Sequence, residues 1–164
     1  MKTIFADFES YYDQQYSLRK MTPVEYILDP RWDMIGVAVA VGDEDPQFME
    51  HDDLVTFLGN QDPEDTAMVS HNALFDACIL AWRYGFVPKL TIDTMGMARA
   101  TIIHKTGRVS LDACQKYFEL GEKARRSKKS LACTKNRSSL LICGWTMCPT
   151  RSTTVLRCVV SSRK

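Results

Sequence analysis

The feature of this sequence that most restricts its fold is an eight-residue segment, Met34 to Val41, that reads MIGVAVAV. The segment is rich in valine and almost continuously apolar. Such a pattern is typical of a strand at the centre of a sheet, buried on both faces. We therefore expect a sheet that contains this strand at its centre, and the run is far too short to span a bilayer.

Further strand signals alternate with helix signals over the first 122 residues. Strands are predicted over 3–6, 34–41, 47–49, 67–70 and 90–92, with 34–41 and 47–49 forming a hairpin. Helices are predicted within 17–29 and over 52–58, 73–84, 94–102 and 110–118, with Gly85 ending the third and Ser110 capping the last. This alternation predicts an α/β fold with a mixed sheet flanked by helices.

The charge distribution divides the chain in two, although the formal net charge is only +1. Residues 1–122 hold all 20 acidic residues and 10 of the 21 basic ones, whereas residues 123–164 hold 11 basic residues and no acidic one. The second part also has 12 Ser or Thr in 42 residues. We therefore predict a folded domain over 1–122 and a basic, irregular tail over 123–164 that is disordered or binds nucleic acid.

No targeting segment is evident near the start of the sequence, where only four uncharged residues separate Lys2 from Asp7. The six cysteines do not have the C-x-x-C spacing of a zinc knuckle, so free thiols are expected. These features predict a soluble cytoplasmic protein, in the host cytoplasm if the chain is viral, with no membrane partner.

Two carboxylates stand two residues apart at the end of the first predicted strand, at Asp7 and Glu9. Because side chains alternate along a strand, both should project from the same face. Like charges this close repel each other unless a cation lies between them, and ligand sets made only of oxygen favour Mg²⁺ or Mn²⁺. The alternative is a pair of solvent-facing acids with no ligand.

A third carboxylate, Asp76, lies about one turn into the helix that follows the strand ending at Ser70. Taken alone, Asp76 could interact with the helix dipole, and Asn72 could be the helix N-cap. Three carboxylates at the ends of central elements are, however, what two-metal phosphoryl chemistry requires.

At these residues the sequence resembles the DEDD, or DnaQ-like, 3′–5′ exonucleases. The family's first motif, D-x-E, is matched at 7–9 (DFE), and its second, H-N-A-x-F-D, at 71–76 (HNALFD). Asp93-Thr94 resembles the D-T that follows in many members, and 110–113 (SLDA) resembles the helix opening before the third motif. The resemblance covers about residues 2–122. Over 16–41 it is most similar to the exonuclease domains of phage-type family A DNA polymerases.

The resemblance implies an RNase H-like sheet, two divalent cations (Mg²⁺ or Mn²⁺) and proofreading-type hydrolysis of DNA or RNA from its 3′ end. A DNA polymerase domain or subunit is the implied protein partner. By position, Asp7, Glu9 and Asp76 match the family's catalytic, metal-binding carboxylates. The positions that correspond to substrate contacts are Phe8, Ser10, Asn72 and Phe75. His71 is expected to be structural.

The family's third motif, Y-x-x-x-D or H-x-x-x-x-D on a late helix, is missing. The chain has no Asp or Glu after Glu122, no Tyr after Tyr117 and no His after His104. Asp93 and Asp112 are available acids, but neither stands in such a motif. The metal site should therefore be weakened, and the activity should be small or lost.

The abrupt loss of acidic residues leads to the hypothesis that the sequence from about 123 onward is read out of frame. Residues 145–148 (WTMC) must be encoded by TGG-ACN-ATG-TGY. When the reading frame is moved forward by two bases, the same DNA reads GAC-NAT-GTG, and its first codon, GAC, encodes Asp. The same shift turns the junction of Leu141 and Ile142 into NAT, a codon class that includes Tyr, four positions before that Asp. A Y-x-x-x-D pattern is thus compatible with the shifted frame.

Two other functions are compatible with these features. The chain could be a non-catalytic module whose basic tail binds nucleic acid without sequence preference. An RNase H-type endonuclease on the same fold is the other alternative, and the helix-embedded H-N-A-x-F-D argues against it.

Overall fold

A computed structural model describes residues 1–119, which form five β-strands and six α-helices. The strands are β1 (Lys2–Ser10), β2 (Met34–Val41), β3 (Gln47–Met49), β4 (Thr66–Ser70) and β5 (Leu90–Asp93). The helices are α1 (Pro23–Leu28), α2 (His51–Gly59), α3 (Ala73–Tyr84), α4 (Thr94–Thr101), α5 (Ile103–Thr106) and α6 (Leu111–Tyr117). This order confirms the predicted α/β alternation.

The five strands form one mixed sheet in the order β3-β2-β1-β4-β5. The pairs β1–β2 and β2–β3 are antiparallel, whereas β1–β4 and β4–β5 are parallel. Parallel neighbours need crossover connections, and α2 and α3 lie in the segments that provide them. β1 therefore occupies the centre of the sheet, between its antiparallel and its parallel half.

The two faces of β1 contact different layers of the molecule. Its even-numbered residues Ile4, Ala6 and Phe8 are buried in the main core. Helices α1, α2 and α3 cover that face with Tyr26, Ile27, Leu54, Leu58, Ile79 and Leu80. On the opposite face, Phe5 packs with Ala40, Val69 and Ile92. Because side chains alternate along a strand, Asp7 and Glu9 share this second face with Phe5.

β1 is longer than the predicted strand over 3–6, since it continues to Ser10. The added residues pair with β2, whose apolar run reaches back to Met34 opposite Ser10. Asp7 and Glu9 therefore lie within a paired strand and not at its end. The helix predicted over 94–102 is confirmed within one residue as α4, which ends at Thr101. Ile102, with φ −121° and ψ −12°, separates it from α5, a short helix that the sequence analysis did not predict.

A single arginine connects α3 to the end of α1. Arg83 Nε donates to the carbonyl oxygen of Ile27 at 2.7 Å, and its Nη2 donates to that of Asp29 at 2.9 Å. These bonds satisfy carbonyl groups that the short helix leaves open at its C-terminus. They hold α1 against the helix that carries Asp76.

Across residues 1–119, no helix is long and apolar enough to cross a membrane. Residues 120–164 lie outside the described part of the chain. The boundary predicted after residue 122, the basic tail over 123–164 and its reading frame remain predictions.

Candidate active site

Asp7 and Glu9 project from the same face of β1, as their spacing predicts. Their partners on β2 are Ala38 and Gly36, respectively. Directly opposed residues of an antiparallel pair have their side chains on one face, about 5 Å apart. The residues opposite the two carboxylates are thus of the two smallest types, and Gly36 itself is buried under the ring of Phe48.

Asp76 lies where β1 and β4 separate. The two strands pair only from Lys2–Thr66 to Phe5–Val69. Beyond that point the backbone N–H of Phe8 donates to Asp76 Oδ1 at 3.3 Å, and the Ser70 hydroxyl donates to Asp76 Oδ2. Asp76 is only 4% exposed. Its carboxylate thus accepts the hydrogen bond of the Phe8 N–H, which lies beyond the part of β1 that pairs with β4. It lies at the carboxyl end of the parallel strands, where open α/β sheets bind ligands.

The three carboxylates are within electrostatic reach of one another. Burial raises the pKa of Asp76 from 3.8 to about 7. The Ser70 and Phe8 hydrogen bonds act against this increase, and the charges of Asp7 and Glu9 add to it. Without a cation, Asp76 therefore holds a proton over part of the neutral pH range.

This donor set suits a hard divalent cation, because it consists of oxygen atoms that carry mutually repelling charges. Across the described residues, however, no three His, Cys, Asp or Glu side chains form a ready-made cation cage. Both oxygens of Asp76 are held inward by Ser70 and Phe8. The carboxylates are therefore gathered in one place but not arranged around a common centre.

Asn72 occupies the N-cap position of α3, but its side chain makes no capping hydrogen bond. The expectation that it caps the helix is wrong. Its backbone is in the left-handed region, with φ 78°, and its N–H donates to Asp93 Oδ1 at 3.0 Å. The N–H groups of Ala73 and Met95 donate to the same oxygen at 3.3 and 3.0 Å. Asp93 therefore caps both α3 and α4, and the exposed Asn72 side chain does not.

His71 has the structural role expected of it. Its Nε2 lies 2.9 Å from the Val109 carbonyl oxygen, and since a carbonyl only accepts, Nε2 carries the proton. Its Nδ1 lies 3.0 Å from Thr94 Oγ1, which also contacts the Ser70 carbonyl oxygen at 3.1 Å. The imidazole thus ties the end of β4 to α4 and to the segment before α6.

The predicted substrate contacts lie in different surroundings. Phe8 is 7% exposed in the main core, on the face opposite Asp7 and Glu9, so its ring cannot meet a substrate bound there. Ser10 Oγ lies 2.9 Å from Tyr26 Oη. The half-buried Phe75 ring lies 6.0 Å from the Tyr26 ring. Ser10 and Phe75 therefore both contact Tyr26, and their substrate roles remain predictions.

Neither spare acid replaces the third motif within residues 1–119. Asp93 has the capping role described above. Asp112 forms an ion pair with Lys116 at 3.0 Å on α6, with both side chains largely exposed. The positions at which the motif was sought lie largely beyond the described residues.

Sequence reasoning missed two residues that support the site. Ser70, the last residue of β4, is 1% exposed and donates to Asp76. Its position directly before the H-N-A-x-F-D run was the available signal. Asp93 was identified only through its match to the D-T of the family. Its role as a cap of α3, which begins 20 residues earlier, produces no pattern in the sequence around either residue.

Comparison with known proteins identifies the fold. No protein-family model and no curated protein matches the chain. Three solved structures of NrnC from Brucella melitensis are similar to it, each over 98% of this chain and 72% of that chain. The first structure, NrnC, has a TM-score of 0.64 at 17% identity. NrnC with bound Mg²⁺ has a TM-score of 0.59 at 16% identity, and NrnC bound to pGG has a TM-score of 0.57 at 18% identity. At this identity the likeness shows the fold alone, which is the predicted RNase H-like mixed sheet flanked by helices.

Proposed function

We propose that this chain is a metal-dependent 3′–5′ exonuclease that hydrolyses the terminal phosphodiester of DNA or RNA by a two-metal mechanism. The observation that carries the proposal is the buried Asp76 carboxylate, gathered with Asp7 and Glu9 at the opening between β1 and β4. Structures of the same fold with bound Mg²⁺ and with pGG support a cation site and a nucleic-acid substrate here.

Asp7, Glu9 and Asp76 would hold the divalent cations, Mg²⁺ or Mn²⁺. Bound there, the cations would supply an activated water and stabilise the leaving oxygen. Ser70 and the Phe8 N–H hold the oxygens of Asp76, so this carboxylate is oriented before any ligand arrives. Opposite Asp7, Ala38 presents only a methyl group, which leaves space for a strand beside this carboxylate.

The finer features of the proposal rest on the family resemblance. They are the 3′ to 5′ direction, the proofreading type, the likeness to phage polymerases, and a polymerase domain or subunit as partner. The missing third motif leads us to propose that the activity of this chain is impaired. The encoding DNA tests the reading-frame hypothesis, which fails if the shifted frame opens no acidic helix.

Cleavage of a 5′-labelled, 3′-recessed strand in Mn²⁺ by the full chain tests the proposal. A ladder that starts from the 3′ end and is lost in EDTA and in Asp7→Ala supports it. Asp53→Ala, an exposed acid on α2, is the matched control and should leave the ladder unchanged. Cleavage of a circular strand would instead indicate an endonuclease. No cleavage while Mn²⁺ still stabilises the fold would mean that the missing third motif has disabled the site, and no cleavage without stabilisation by Mn²⁺ would refute the proposal.

The charge of the tail supports a second candidate, a non-catalytic nucleic-acid-binding module. Residues 123–164 carry 11 basic residues and no acidic one. Neutralised phosphates release counterions, so such binding should weaken steeply as salt rises. Salt-sensitive binding that persists in EDTA and in Asp7→Ala, without cleavage, would favour this alternative.

A further inference from the structure

An exposed aromatic ring stands beside the carboxylates on the second face of the sheet. Phe48 of β3 is 46% exposed. It pairs with Ala38 of β2, which pairs in turn with Asp7 of β1. The three residues form a row across the sheet, so the backbones at Phe48 and Asp7 are two strand spacings, about 10 Å, apart.

The ring of Phe48 leans toward the carboxylates across a glycine. Its Cε2 lies 2.8 Å from the place that a β-carbon of Gly36 would take, and Cζ and Cε1 are closer still. Gly36 is the residue opposite Glu9. Since any β-carbon would collide with the ring, glycine at this position lets the ring extend across β2 toward Glu9.

Covering a strand glycine with an aromatic ring is a known stabilising arrangement. The ring tip lies over Gly36, yet 46% of Phe48 remains exposed on the face of the sheet that carries Asp7 and Glu9. Aromatic rings exposed in this way stack with nucleobases whatever the base, because every base has a π-face. Phe48 thus has a surface suited to the part of a nucleotide that the carboxylates cannot bind.

We propose that Phe48 is a stacking platform for the base of the 3′-terminal nucleotide, whose phosphate lies at Asp7, Glu9 and Asp76. This inference rests on the proposed function. It adds a contact to the terminal base, which would fix the position of the substrate at the carboxylates. The strand end would cross β2 above Ala38, whose side chain is a single methyl group, since the Phe48 ring covers Gly36.

A comparison of two substrates separates stacking from folding. The full chain and its Phe48→Ala variant are each titrated, in Ca²⁺ and in EDTA, with a single strand that ends in 2-aminopurine and with one that ends in an abasic nucleotide. Phe48→Ala should weaken binding of the first strand about 5- to 150-fold and of the second less than about 2-fold. Phe48→Trp should restore binding of the first strand. It should also restore the quenching of 2-aminopurine fluorescence that stacking on an aromatic ring causes.

Two further variants guard against a trivial loss of structure. Gly36→Ala keeps the ring but displaces it, so the same base-dependent loss is expected. Trp82→Ala removes an aromatic side chain of similar exposure, 42%, from α3 on the other face, and should change neither titration. If Phe48→Ala weakened binding of both strands equally, or of neither, Phe48 would not be a stacking platform. Its ring would then serve only to cover Gly36.

The test also separates this inference from the proposed function. Asp7-dependent cleavage without a base-dependent effect of Phe48 refutes the platform alone. A base-dependent effect without any cleavage refutes the hydrolysis and supports the platform. A wild-type chain that binds neither strand refutes both.

Discussion

The Asp93 carboxylate accepts the backbone N–H of Asn72 at 3.0 Å, across 21 residues of sequence. The same oxygen accepts the N–H groups of Ala73 and Met95, so one side chain begins two helices. Orphan N–H groups at a helix start need such a partner. Since Asp76 is the fourth residue of the first of these helices, Asp93 helps to set the position of the third carboxylate.

Replacing Asp93 should destabilise the fold more than replacing an exposed acid. Asp93→Ala leaves three N–H groups without their acceptor and should lower the free energy of unfolding by about 1–3 kcal/mol. Asp112→Ala, which removes only a surface ion pair, should cost less than about 1 kcal/mol. Urea denaturation measures both, and equal losses would contradict the capping role.

Without a cation, the chain should lose stability as the pH rises from about 4 to about 7. The raised pKa of Asp76, from 3.8 to about 7, means that the folded chain keeps a proton which the unfolded chain releases. This contribution is complete below the unfolded pKa and is lost as the pH passes the folded one. At about 1.4 kcal/mol per pKa unit, its upper limit is a few kcal/mol.

Melting temperatures in EDTA across this pH range, for the wild type and Asp76→Asn, measure that contribution. The amide of the variant does not titrate, so the wild type should lose stability relative to it as the pH rises. Mg²⁺ added above pH 7 should stabilise the wild type and not the variant. Parallel pH curves for the two proteins would show that Asp76 does not titrate in this way.

Ser70→Ala should shift this pH dependence upward. The Ser70 hydroxyl donates to Asp76 Oδ2 and lowers the pKa of that carboxyl, so its removal raises the pKa further. The stabilisation by Mg²⁺ near pH 7 should then be smaller, because a proton competes more strongly for Asp76. Ser110→Ala, which removes the cap of α6, should cost about 1 kcal/mol and leave the pH range unchanged. An unshifted range in Ser70→Ala would contradict the prediction.

Tyr16→Phe should reveal the buried hydrogen bond under α1. Tyr16 is fully buried, its hydroxyl donates to the Tyr26 carbonyl oxygen at 2.6 Å, and burial raises its pKa above the usual range. Losing this buried hydrogen bond should cost about 1–3 kcal/mol. Tyr12→Phe is the matched control at 66% exposure and should change stability by less than about 0.5 kcal/mol. Chemical denaturation of both variants tests the difference.

Local sequence patterns were sufficient to predict the order of the elements and the shared face of Asp7 and Glu9. Apolar runs such as 34–41, the glycine after α3 and the serine before α6 are local signals, and side-chain alternation follows from strand geometry alone. The H-N-A-x-F-D run likewise placed Asp76 in the first turn of its helix, where the structure has it.

Contacts between groups far apart in the sequence could not be predicted in this way, because they depend on how the strands pair. The length of β1 depends on pairing with β2, and the burial of Asp76 depends on where β1 and β4 part. The cap supplied by Asp93 and the closeness of Phe48 to Gly36 depend on neighbouring strands. These contacts follow from strand order and register, which form between segments far apart in the chain and leave no periodic pattern within either one.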